Sequence, residues 1–279
     1  MIVRPAAVAG TWYPGTRGAL TREVDDYLHA AGEPPAFDVR AIIAPHAGIM
    51  FSGPVAAYAY KAAATRHYDV VALVGPSHFH AFDGVVVYPR GGFESPLGLS
   101  TIDEEAVDAL RATGTVQLGT EPHRREHSLE MQLPFLTRLL PGVPIVPILM
   151  GLQRRKTIVA LADALSTAFA GRRVLLVAST DLSHYFDAQE AAQLDGRVEH
   201  LVATFDPEGF LELFEEYPER DRGRSVACGG GPAISVMFAA RTLGATQGRV
   251  LRYANSGDVS GDDTAVVGYL AAAMGVPRA

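Results

Sequence analysis

The chain repeats one pattern over its whole length: a short aliphatic, β-branched run with no polar face, then a turn, then a longer stretch with helical spacing. Strands that are apolar on both faces must be covered on both sides, which is the situation of a parallel sheet between two helical layers. The runs are Arg40–Pro45 (RAIIAP), Asp69–Gly75 (DVVALVG), Gly84–Tyr88 (GVVVY), Val143–Leu149 and Arg173–Ser179 (RVLLVAS), with Arg249–Ala254 and Ala265–Ala271 closing the sheet. Spacing predicts helices over Pro54–Ala64, Asp103–Ala112, Ser128–Leu140, Lys156–Phe169, Asp187 to Val202, Asp206–Glu216 and Pro232–Leu243. Ser52 is a candidate N-cap, Gly114 a C-terminal stop, and Pro134 is expected to kink its helix. The TWYPG segment and Arg220–Ser225 read as irregular. The expectation is an α/β fold, a single three-layer domain over residues 1–279 with a central, mostly parallel or mixed sheet flanked by helices.

Composition narrows the function classes. Apolar residues make up 48% and charged residues 20%, as in an ordinary soluble enzyme. A formal net charge of −7 argues against a nucleic-acid partner, which would want a basic face. The longest apolar runs, such as Val143–Met150, are too short for a membrane span and contain proline. Cys228 is the single cysteine, which excludes an internal disulfide framework and any four-Cys zinc module. The opening MIVRPAAVAGTWYPG lacks the basic-then-apolar order of a signal peptide, so the expected location is the cytoplasm. A homodimer is expected only as the commonest assembly.

Three of the nine histidines fall just after an expected strand: His46 in APHAG, His78 in GPSHFH and His184 in STDLSH. Ligands of open α/β sheets bind beyond the carboxyl ends of strands, so these rings converge if their strands are neighbours. Alone, any one of them reads as a hydrogen-bonded structural residue; three placed by the same rule point to a shared site. Neutral imidazoles at three separated positions suit zinc, iron or copper. Cys228, opening the CGGGP turn at a helix start, is the natural soft partner, against the bland alternative of a small buried hydrophobe. The Gly-rich turn is where backbone would approach a ligand closely.

His127 in EHSLE precedes a helix, whose dipole should keep the ring neutral and able to accept a proton; the alternative is a solvated loop residue. Asp181 lies three residues before His184 and is expected either to orient that ring or to form a turn. His78 and His80 alternate, so only one should reach the site, and His29, His67 and His200 take no role. Trp12 and Tyr13 are expected to pack or to wall a pocket. A G-x-S-x-G elbow, a Walker loop, HExxH and a dinucleotide fingerprint are all missing.

The ordered motifs VAGTWYPG, APHAG, GPSH, EHSLEMQLPFL, STDLSH and CGGGP resemble the Memo-like family, which includes protein B of the AmmeMemoRadiSam system. That family is similar in fold to class III non-haem iron (extradiol) dioxygenases. The resemblance implies His46, His78 and Cys228 as metal ligands, with His184 and Asp181 lining the same pocket and His127 as acid/base. The ring-cleaving relatives carry a glutamate where this chain has Cys228, and a thiolate favours softer metals than a carboxylate does. The implied cofactor is iron or copper, with zinc open. The implied function is a redox-type protein acting on an unidentified small substrate. The alternatives are a partner- or peptide-binding protein with a vestigial site, and a zinc-dependent hydrolase. Implied partners are a small-molecule or peptide ligand in the crevice and proteins of the AmmeMemoRadiSam system.

Overall fold

The computed structural model describes residues 2–278. In chain order its elements are β1 (Val3–Arg4), α1 (Arg17–Ala30), β2 (Phe37–Ala44), α2 (Ile49–Ala63), β3 (Val70–Pro76), β4 (Val85–Val87), β5 (Gly92–Ser95), β6 (Gly98–Thr101), α3 (Glu104–Ala112) and β7 (Val116–Leu118). Two 3-10 turns, Glu121–His123 and Glu130–Gln132, precede α4 (Leu133–Leu139) and β8 (Ile145–Met150). Then follow α5 (Arg155–Ala168), β9 (Val174–Ser179), β10 (His184–Phe186), α6 (Ala188–Ala203), α7 (Pro207–Glu216), α8 (Arg222–Ser225), α9 (Gly230–Thr242), β11 (Gln247–Asn255), α10 (Gly257–Ser260) and β12 (Val266–Pro277).

The main sheet runs β10-β12-β2-β9-β3-β8-β4-β7, with β11 also paired to β12. Its centre, β2-β9-β3-β8, is parallel, whereas β12 joins β2 and β4 joins β8 antiparallel, so the sheet is mixed. Every residue of β3, β8 and β9 is buried, as expected of strands covered on both faces. Helices α1, α2 and α4 pack together on one side; α5, α7 and α9 form the other layer. The α/β reading therefore holds. Among the described residues, no helix is long and apolar enough to cross a membrane.

Several boundaries differ from expectation for local reasons. Helix α2 begins at Ile49 rather than Pro54; Ser52 lies inside it, its hydroxyl donating to the Ala47 carbonyl at 2.8 Å instead of capping. The segment expected as one kinked helix, 128–140, is a 3-10 turn followed by α4, and Pro134 sits in the first turn of α4, where no donor is required. Arg220–Ser225 contains the short α8. Helix α1 and the small β1-β5-β6 sheet were not expected. The Asp187 carboxylate accepts from the Gln189 and Glu190 amides at 3.0 and 2.9 Å, the N-cap expected there, and Gly114 has φ +75° at the end of α3.

Candidate metal centre

The strand order fixes the geometry of the site. Strands β2, β9 and β3 are parallel neighbours, so the segments leaving their carboxyl ends at Ala44, Ser179 and Pro76 meet at one rim. His46 and His78 stand there with ring centroids 5.2 Å apart, and His127 packs 4.5 Å from His78 and 5.5 Å from His46. Cys228, on the turn before α9, brings its Sγ to 3.2 Å from His46 Nε2. One donor atom each of His46, His78 and Cys228 falls within a common 4.8 Å, and the same is true of Asp181, His184 and Cys228, and of His78, Glu126 and His127. His80 stays outside these groups, and His29, His67 and His200 are exposed away from them.

Hydrogen bonds fix which ring nitrogen faces inward. The Ser179 hydroxyl donates to the Ser128 carbonyl at 2.6 Å while accepting from Gln132 Nε2 at 2.8 Å, so toward His46 Nδ1, 2.9 Å away, it can only accept. Nδ1 of His46 therefore carries a proton, and Nε2 is the nitrogen that faces the sulfur. His78 Nδ1 lies 2.9 Å from Glu126 Oε1, and that carboxylate also accepts from the amides of His78, His127 and Ser128. This is the carboxylate–histidine arrangement that orients metal-binding imidazoles. His184 Nδ1 meets the Leu182 carbonyl at 2.8 Å, which likewise leaves Nε2 basic.

Asp181 does something other than orient His184. Its carboxylate accepts from the His46 and Ala47 amides at 2.7 and 3.3 Å, while its own amide donates to Cys228 Sγ at 3.4 Å. It thus ties the ends of β2 and β9 to the cysteine turn. The glycines after Cys228 also depart from expectation. A Cβ at Gly229 would lie 2.8 Å from Thr180 Cβ, and one at Gly231 2.8 Å from Met150 Sδ, so these residues let α9 pack against the sheet rather than admit a ligand.

Electrostatics of the cluster follow from its partial burial and from the charges packed against one another. Burial pushes the Cys228 thiol up, but the His46 and His78 imidazoles outweigh it and bring it to about 6. Burial pulls His78 down, yet Cys228 and Glu126 raise it to about 10, giving an imidazolium–thiolate pair. His127 is held near 3 by burial and by the neighbouring imidazoles, with Glu126 opposing. Its neutrality, expected from a helix dipole, thus has a different cause. Its Nδ1 is buried without a hydrogen bond, 3.5 Å from Glu126 Oε1.

Two further carboxylates escaped the sequence. Glu126 is one, hidden in the charged run HRREH. Glu130, fully buried, accepts from the Arg4 guanidinium at 2.6 Å, the Tyr13 hydroxyl at 2.6 Å and the Ala7 and Val8 amides. Arg4 in turn donates to the His123 and Glu126 carbonyls. The buried pair docks the N-terminal segment and places Trp12 against His127, ring centroids 4.3 Å apart. Tyr13 is packing, whereas Trp12 walls a cavity of about 650 Å3 that includes His46, His78, His127, Asp181, His184 and Cys228.

A cavity floored by His46, by a His78 whose inward-facing nitrogen would give up its proton to an ion, and by a low-pKa thiol fits a metal ion by donor chemistry. Known proteins agree in sequence. The model of the Memo-like protein family matches residues 4–273. A MEMO1 family protein from Methanothermobacter thermautotrophicus is 35% identical over 280 residues, covering 96% of this chain and 99% of the relative. Another from Nitrosopumilus maritimus is 33% identical over 275 residues, covering 96% and 98%, and one from Methanosarcina mazei is 35% identical over 274 residues, covering 97% and 98%. The crystal structure of an uncharacterized protein from Escherichia coli K12 superposes with a TM-score of 0.55 at 13% identity, over 85% of this chain and 100% of that one, a likeness of fold. Matched along nearly its whole length, this chain belongs to the Memo-like family.

Proposed function

We propose that the protein is a metal-dependent oxidoreductase, akin to the extradiol dioxygenases, which holds iron or copper through His46 Nε2, His78 and Cys228 Sγ and acts on a small substrate in the cavity. The observation that carries this reading is the sulfur 3.2 Å from an inward-facing imidazole nitrogen, with a second, carboxylate-oriented imidazole beside both. When bound, such an ion supplies Lewis-acid and one-electron chemistry.

The chain's own groups supply the rest. Glu126 at 3.5 Å favours the His127 proton on Nδ1, which leaves Nε2 to accept a hydrogen bond from a substrate hydroxyl and orient it. His184 Nε2 is the second basic nitrogen at the cavity wall. Trp12 covers His127 and keeps water from it. Protein purified without air, followed by elemental analysis of wild type, H46A and H78A, tests the metal; oxygen uptake with a catechol panel tests the chemistry. Iron or copper in equimolar amount, lost in both variants, supports the proposal. Full metal content in both variants overturns the site. Zinc alone would turn the reading toward hydrolysis, which two imidazoles and a thiolate also suit, and metal without oxygen uptake toward a binding role.

A further inference from the structure

The cavity leads outward from the histidine cluster between apolar walls, among them Trp12, Met50, Phe51, Tyr185 and Val267. Arg224 is the only lysine or arginine that lines it. Among the described residues its guanidinium has no carboxylate partner: it lies over the Phe186 ring at 4.8 Å and reaches the His184 carbonyl at 3.4 Å. That is a cation resting on an aromatic face at the cavity wall, with no acid to satisfy it. Asp181, the cavity's one carboxylate, is 3% exposed and engaged by two amides, so it does not neutralise Arg224. Beside Arg224, Tyr185 has φ +64° and is 66% exposed. A bulky residue in the left-handed region is strained, and here the strain presents a ring at the cavity mouth.

We propose that the cavity selects an organic acid with a flat, apolar body, and that Arg224 is its specificity-determining residue, holding the carboxylate at the outer end. One guanidinium matches a monoanion; no second lysine or arginine lines the outer end to meet a phosphate dianion, and His78 lies at the inner end against Glu126 and Cys228. The aromatic walls receive the body by stacking and burial. The proposal rests on the reading above only in assigning the substrate's far end to the metal ligands; recognition of the carboxylate does not require the ion.

The test exploits Trp12, the only tryptophan, which lines the cavity and reports its occupation by fluorescence. Metal-free wild type and R224Q are titrated with 3-phenylpropionate and with its neutral amide. Wild type should bind the acid about fivefold more tightly than the amide, the upper range for a solvent-exposed ion pair. R224Q should bind both alike, with its affinity for the amide unchanged. Equal binding of acid and amide by wild type, or a preference that survives in R224Q, overturns the proposal. Because the protein is titrated without metal, these results stand whether or not the metal reading does.

Discussion

Cys228 Sγ and His46 Nε2, separated by 182 positions in sequence, stand 3.2 Å apart at the rim of the sheet. Each is useless as a ligand without the other's element in place: His46 needs the end of β2, and Cys228 needs the turn into α9. Replacing Cys228 with Ala should lower metal affinity by more than the roughly 10–100-fold typical of losing an outer hydrogen bond, with the fold retained. Isothermal titration with the metal, alongside circular dichroism, measures both. A variant that binds metal like wild type would remove sulfur from the ligand set.

Glu126 holds His78 from the side away from Cys228, outside the proposed ligand set of His46, His78 and Cys228. Glu126→Gln keeps the shape but supplies a weaker, neutral partner to His78 Nδ1, and its amide nitrogen cannot accept from the surrounding backbone amides. Metal affinity should fall by roughly 10–100-fold. The same titration reads this, and an unchanged affinity would mean that His78 is held without Glu126.

The Arg4–Glu130 pair is buried on both sides, 2% and 0% exposed. Glu130→Ala leaves a charged guanidinium, the Tyr13 hydroxyl and two amides without their acceptor. The expected loss is about 3–5 kcal/mol in urea unfolding. Adding Arg4→Met should not restore it, since the Ala7 and Val8 amides and Tyr13 stay unpartnered. Full recovery in the double variant would show that only the ion pair mattered.

His123 provides a pH signature. It is 1% exposed between Tyr88 and Phe93, neither ring nitrogen is hydrogen-bonded, and burial with the nearby Arg4 charge brings it down to about 3. Below pH 6.5 the unfolded chain binds this proton and the folded chain does not, so stability declines as pH falls from about 6.5 toward 3. At pH 5 the share from His123 is about 2 kcal/mol. His123→Leu should flatten the stability profile over that interval. A profile parallel to wild type in denaturant titrations at several pH values would contradict this.

What the sequence revealed was decided by how local each cause is. His46 and His78 were legible because each follows a run apolar on both faces, and the strand-end rule does the rest. The adjacency of β2, β9 and β3 was not legible, since pairing order is a property of the whole sheet. Glu126 and Glu130 were missed because a buried acid and a solvated one look alike in a charged run, and the partners of Glu130 lie more than a hundred residues away. The β1, β5 and β6 strands are too short to show periodicity. Asp181 was noticed for its nearness to His184, but its hydrogen bonds go to the backbone of another strand end.

The span from His46 to Cys228 also governs when a metal can be acquired. On the proposed ligand set, a nascent polypeptide leaving the ribosome lacks the sulfur donor until Cys228 has emerged and α9 has docked on the sheet. If that set is the right one, loading would be a late event in the life of each molecule, with metal supply acting on finished chains rather than on growing ones.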